Sequence, residues 1–147
     1  MGKNPSMIQR VTNWPEILAA EVFARRHQVF SRSQADCVRT IADIVQKICG
    51  VDPLGADWRS AYATDEEARD IIRSARGELL PLFRARLRAA GFEEISPEAG
   101  QRGDIAYVRE TTLQQGAALF FGSGLLTPDK IGFKVIPRIR AIAAWRV

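Results

Sequence analysis

The chain has 147 residues, 46% hydrophobic and 26% charged, a balance that excludes a disordered polymer and leaves one domain able to bury a core without staples. Its apolar runs fall far short of the roughly 20 residues of a membrane helix, and MGKNPSMIQR lacks the apolar stretch of a secretory signal. The net charge is +4, and seventeen of the 21 basic residues are arginines spread along the chain; this reads first as a solvated surface, then as a match for an acidic protein partner, and last as a nucleic-acid footprint.

Asn13-Trp14-Pro15-Glu16 predicts a helix start, with Asn13 as cap, Pro15 in the first turn and Glu16 three residues on. The helix is expected to run to about His27, with Ile17, Leu18, Val22 and Phe23 on one side. The polar stretch 30–35 reads as a loop. Asp36 then opens a second helix as its N-cap. In it Cys37, Ile41, Ile44, Val45 and Ile48 recur on one buried face, Gly50 ends it and Pro53 blocks continuation. Cys37 and Cys49 are roughly 18 Å apart along that helix, too far for a disulfide, so both read as thiols of a reducing compartment. The stretch through Trp58 and Tyr62 reads as irregular. Thr64-Asp65-Glu66-Glu67 is a second capping box, opening a helix to about Ala75. Gly77 separates it from a helix over 78–90 that Gly91 ends. Its stripe is Leu79, Leu80, Phe83 and Leu87, and Arg84 and Arg88 lie beside it as a solvated rim or a docking patch.

After Gly91 the pattern changes. Gly103-Asp104 reads as a turn before the strand-like run Ile105 to Val108. Ala117 to Phe121 and Lys130 to Ile136 are two further runs, Gly122-Ser123-Gly124 is a turn, and 138–147 alternates loosely. Three or four antiparallel strands are expected. Helices first and strands afterwards predict an α+β fold, N-terminal helices packed on a C-terminal antiparallel sheet. We read a single domain over 1–147, with 1–12 as an extended N-terminal arm.

One histidine and two distant cysteines do not make a zinc site, and no glycine-rich phosphate loop joins a strand to a helix; neither metal nor cofactor is expected. The position with chemical content is Cys37. A cysteine in the first turn of a helix meets the positive end of the macrodipole, which favours the nucleophilic thiolate. The same residue is also the first apolar position on the buried face, and the local sequence leaves both readings open.

The order of parts adds to this. Asp36-Cys37 opens a helix, Gly50-Val51-Asp52-Pro53 leaves it, and Gln101-Arg102-Gly103-Asp104 leads into Ile105 to Val108. This order resembles the NlpC-type cysteine peptidases, cell-wall hydrolases with a rearranged papain fold. With Trp14-Pro15, Trp58-Arg59, Tyr62, Arg140 and Trp145-Arg146-Val147, the chain more closely resembles a family of small proteins encoded in phages and prophages. The resemblance implies a papain-like NlpC-type domain with Cys37 at the nucleophile position and Asp104 as a turn residue. It also implies a virion component of the tail tip or hub, made in the host cytoplasm without a signal peptide. Its partners would be other tail proteins, with peptidoglycan as a further contact and neither nucleic acid nor membrane insertion.

In the peptidase pattern a histidine begins the second core strand. The corresponding stretch here is Gly116 to Gly122, which puts Gly116 where the base belongs. Neither Gln114 nor Gln115 is a base near neutral pH, and His27 reads as an exposed residue near a helix end. The expectation is therefore a tail protein reusing a peptidase fold without catalysis. The alternative is an active cysteine hydrolase (a peptidoglycan endopeptidase) using Cys37 and another base. Arg138, Arg140, Trp145 and Arg146 are candidate docking anchors, Trp145 equally a core residue.

Overall fold

The computed structural model describes residues 8–29, 37–61, 63–74, 79–111 and 114–147. Its helices are α1 (Trp14–Ala24), α2 (Cys37–Cys49), α3 (Gly55–Arg59), α4 (Asp65–Ser74) and α5 (Leu80–Ala90). The strands follow: β1 (Glu93–Ile95), β2 (Ile105–Thr111), β3 (Gln114–Phe121), β4 (Gly124–Pro128), β5 (Phe133–Pro137) and β6 (Ala143–Arg146). They form one antiparallel sheet in the order β1-β6-β2-β3-β4-β5. The α+β class, helices before strands, is thus as expected. The strand number is not: six strands stand among the described residues where three or four were expected. Lys130 to Ile136 is a turn running into β5 rather than a strand throughout, and the preceding run from Gly124 is a strand of its own.

Local chemistry explains most boundaries. Gly50, with φ +78°, and Gly91, with φ +96°, end α2 and α5 in the left-handed conformation that glycine adopts without a Cβ penalty. At α4 the capping box forms: Glu67 N donates to Thr64 Oγ1 at 3.1 Å, and Ala63 N donates to Glu67 Oε1 at 3.2 Å. At α1 it does not. Asn13 makes no side-chain capping bond, and the helix stops at Ala24, with 25–27 in turns short of the expected end. Trp58 lies in α3, a single turn, rather than in irregular chain. The expected loop 30–35, Asp36, Tyr62 and the end of the fourth helix at Ala75 to Gly77 lie outside the described residues.

The main core lies between the helices and one face of the sheet. Leu18, Ile41, Ile44, Val45, Ile48, Phe83, Leu87, Ile105, Leu119 and Trp145 are all buried there. Phe83 sits edge-on to Trp145, with ring centroids 5.2 Å apart at 88°, the T-shaped geometry aromatic quadrupoles favour. The opposite face is narrower. Ala106 lies between Ala118 and Ala144 across the register, and these three small residues border buried Phe120. The Arg138 guanidinium covers that ring at 4.8 Å from its centroid. Gly100 lies so close over the ring that an added Cβ would collide with it.

Candidate functional site

The site begins with the placement of α2. Its first turn is enclosed rather than exposed along one side: Val38, Arg39, Thr40, Ile41 and Ala42 are all buried. The helix packs between α1 and the sheet, with β3 its main strand contact. Cys37 is its first residue, half-buried and packed against the main core. The site of the thiol is therefore a seam between a helix start and a strand.

Gly116, in β3, lies directly beneath this thiol. A Cβ built on Gly116 would collide with Cys37 Sγ, whereas the next atoms, Cys37 Cβ and Val38 Cγ2, lie at 3.6 and 3.7 Å, ordinary contact. The thiol sulfur occupies the volume that any side chain at 116 would need. The two positions singled out in the sequence, Cys37 and Gly116, are thus brought together, and residue 116 presents the sulfur with backbone and no side chain.

The neighbouring polar groups serve the fold. Gln115 is buried, and its Oε1 accepts hydrogen bonds from the Leu79 amide at 2.8 Å and from the Tyr107 hydroxyl. This ties β3 to β2 and to the start of α5. His27 is exposed in the turn after α1, and no hydrogen bond or ion pair joins its imidazole to another described residue. Cys49, at the far end of α2, donates weakly to Val51 O at 3.7 Å. Burial pushes its thiol pKa up, against the smaller opposing effects of that bond and the Arg10 charge.

A small surface opening lies one helical turn from Cys37. Arg25, Gln28, Thr40, Pro128, Asp129 and Phe133 line it. Arg25 is held by Glu21 at 2.5 Å, and Asp129 Oδ1 accepts the Lys130 amide at 2.8 Å. Sequence reasoning missed this group, because its members come from three separate stretches and none stands out in its own.

Two further clusters explain motifs without assigning them chemistry. Asp104 is buried at 1% exposure. Its Oδ1 accepts from Arg10 Nη2 at 2.8 Å and from the Val147 amide at 2.9 Å, and its Oδ2 accepts from the Gln101 amide at 2.9 Å. Arg10 also donates to Val147 O at 2.8 Å and to Arg102 O at 2.7 Å, and stacks 4.1 Å from the Trp14 ring centroid. Asp104 is therefore the turn residue expected, and it also fastens the stretch around Arg10 to the end of β6. Arg59 does the same work on the helical side, donating to both oxygens of Asp52 at 2.8 and 2.9 Å and to Asp43 at 2.7 Å. Burial alone would raise the Asp52 pKa, but the hydrogen bonds from Arg59 and the Leu54 amide outweigh it and hold the carboxyl below its usual range.

Of the expected docking anchors, Trp145 is a core residue at 1% exposure and offers a partner nothing. Arg138 is committed to the Gly100 and Glu98 carbonyls, whereas Arg140 and Arg146 are exposed. Arg84 of the expected rim pairs with Glu94 through two bonds of 2.8 and 3.1 Å. No helix among the described residues is long and apolar enough to cross a membrane.

A family model described as a domain of unknown function, DUF6950, matches residues 9–147, and the chain belongs to that family. Neither the curated proteins nor the solved structures contain a match to it.

Proposed function

We propose that this DUF6950 chain is a structural or assembly protein of a phage tail, at the tip or hub. In this reading it is built on a papain-like NlpC-type domain and has given up the peptidase chemistry of that fold. The observation that carries this reading is the contact between Cys37 and Gly116. A thiol nucleophile needs a base within hydrogen-bond reach to take or hold its proton. Here the position facing the sulfur is a glycine, and the sulfur itself fills the space beside it. Loss of general base catalysis alone costs about 10² to 10⁴ in rate. The order of motifs along the chain supports the tail assignment and its partners, other tail proteins. It supports location in the virion after synthesis in the host cytoplasm.

One observation favours the second reading, an active cysteine hydrolase on peptidoglycan peptides. Cys37 is half-buried rather than sealed, and the polar opening beside Thr40 lies one turn away. Alkylation by iodoacetamide against pH, followed by mass spectrometry with Cys37→Ala as control, separates the two. The tail reading expects Cys37 to label slowly in the folded protein and quickly in urea. Fast labelling with an apparent pKa well below the reference of about 8.5 would overturn it in favour of the hydrolase.

A further inference from the structure

The chain that leaves α2 is tied down in an unusual way. Val51 to Leu54 lies between two glycines with left-handed backbone, Gly50 at φ +78° and Gly55 at φ +80°. A Cβ on Gly50 would meet nothing within 4 Å, so the backbone turn and not crowding calls for glycine there. Among the described residues, no main-chain hydrogen bond joins 51–54 to another element. Side chains hold the segment instead. Arg59 binds both oxygens of Asp52 and reaches Asp43 on α2, and Arg86 of α5 donates to Pro53 O at 3.3 Å. The side chains of Arg59, Asp52 and Asp43 are 28%, 24% and 37% exposed, so this ionic tie sits at the surface.

Behind the segment lies an apolar cavity of about 10 Å³. Ile41, Phe83, Leu87 and Ala117 line it, and Pro53 and Leu54 form part of its wall. A void of that size holds about one water, and an apolar one stays dry. The side chains around it lose contact partners on that side. Leu54 is itself buried, and Trp58 of the single-turn α3 stands 6.5 Å from the Phe83 ring. Apolar burial therefore shuts the segment and the ionic tie fastens it. A stretch without main-chain ties, with a void behind it and glycines at both ends, has the features of a unit that opens on its own.

We propose that Val51–Leu54 is a hinged lid on the apolar cavity between α2, α5 and the sheet, turning at Gly50 and Gly55 and latched by Arg59. It opens while the rest of the molecule stays folded. In the closed state Leu54 fills the wall of the cavity and Arg59 ties Asp52 to Asp43. In the open state those contacts are gone, and the apolar face formed by α2 and α5 meets solvent. Arg59 is the natural latch because its planar fork binds both oxygens of Asp52 and still reaches a second carboxylate. Nothing in this lid depends on the chemistry at Cys37.

The test is native-state hydrogen exchange of the full chain, followed by NMR at neutral pH with and without about 1 M urea. The Leu54 and Gly55 amides, which Asp52 holds, are expected to exchange about 100-fold or more faster than amides inside α2 and β2. They should still exchange more slowly than in an unstructured peptide, and be nearly indifferent to urea that speeds the core amides. Arg59→Gln should speed the same two amides about tenfold, still without urea dependence. Arg59→Lys keeps the charge but not the fork, and should fall between. Core amides in the same spectra report whether each variant is folded, and the wild-type urea series decides the matter if one is not. Leu54 and Gly55 exchanging with the core's rate and urea dependence would show that they open only by global unfolding. That result, a rate in Arg59→Gln within about twofold of wild type, or wild-type amides as fast as in an unstructured peptide would each overturn the proposal.

Discussion

Replacing Gly116 with alanine is the sharpest probe of the seam between α2 and β3. The backbone there lies outside the positive-φ region, so alanine meets no conformational barrier, and among the described residues its clash is with Cys37 Sγ. Forcing one extra methyl into a packed site costs about 1–3 kcal/mol. Against this, replacing glycine at a compatible position gains about 0.4–1 kcal/mol by restricting the unfolded chain. Gly116→Ala should therefore destabilise the protein by about 1–2 kcal/mol. In a Cys37→Ala background the obstructing sulfur is gone, and the same change should be neutral or stabilising. The sign reverses, and the coupling energy is about 1–3 kcal/mol. Urea unfolding followed by tryptophan fluorescence measures all four corners of the cycle, with buried Trp145 as one reporter. If the two changes add to within about 0.5 kcal/mol, as sites without a shared contact do, the sulfur does not sit over Gly116 and the reasoning fails.

Asp104→Ala takes the carboxylate from Arg10 and leaves the Val147 and Gln101 amides without their acceptor, and breaking a buried ion pair by removing one partner costs about 3–5 kcal/mol. The melting temperature should fall by about 10 °C, and a loss below about 1 kcal/mol would show that the fastening is dispensable. The Asp52 carboxyl is held below its ordinary pKa in the fold, so it contributes stability above about pH 4 that is lost as pH falls through the folded value. The stability difference between wild type and Asp52→Asn should therefore be largest near neutrality and shrink in acid. A difference that stayed constant with pH would mean that Arg59 does not bind the charged form.

What was legible in the sequence follows from what each element buries. α2 was read correctly because its apolar residues recur at helical spacing against a core, and Gly50 marks its end. The Thr64 capping box was right, whereas the similar pattern at Asn13 was not: with φ −98° and ψ 32° its backbone lies outside the extended conformation of a capping residue. β1 was missed because an edge strand of two exposed glutamates and a half-buried isoleucine leaves no alternation to find. The run Gly124 to Pro128 hid because four of its five residues are buried on both faces of the sheet, so its pattern is continuous rather than alternating. α3, a single turn, is too short for any period.

The seam at Cys37 is a harder case, because periodicity places a residue within its own element and says nothing about what lies across from it. Cys37 and Gly116 were set side by side only by the order of motifs along the chain. Yet β3 carried a local sign of the contact. Glycine within a strand weakens it and commonly marks where another group approaches closely. Gly100, which the ring of Phe120 overlies, obeys the same rule outside a strand. Read this way, Gly116 is the footprint of the sulfur above it. A side chain introduced at 116 would displace the sulfur that now fills that space. With Cys37 in place, room for a larger residue at 116 requires moving the start of α2 away from β3.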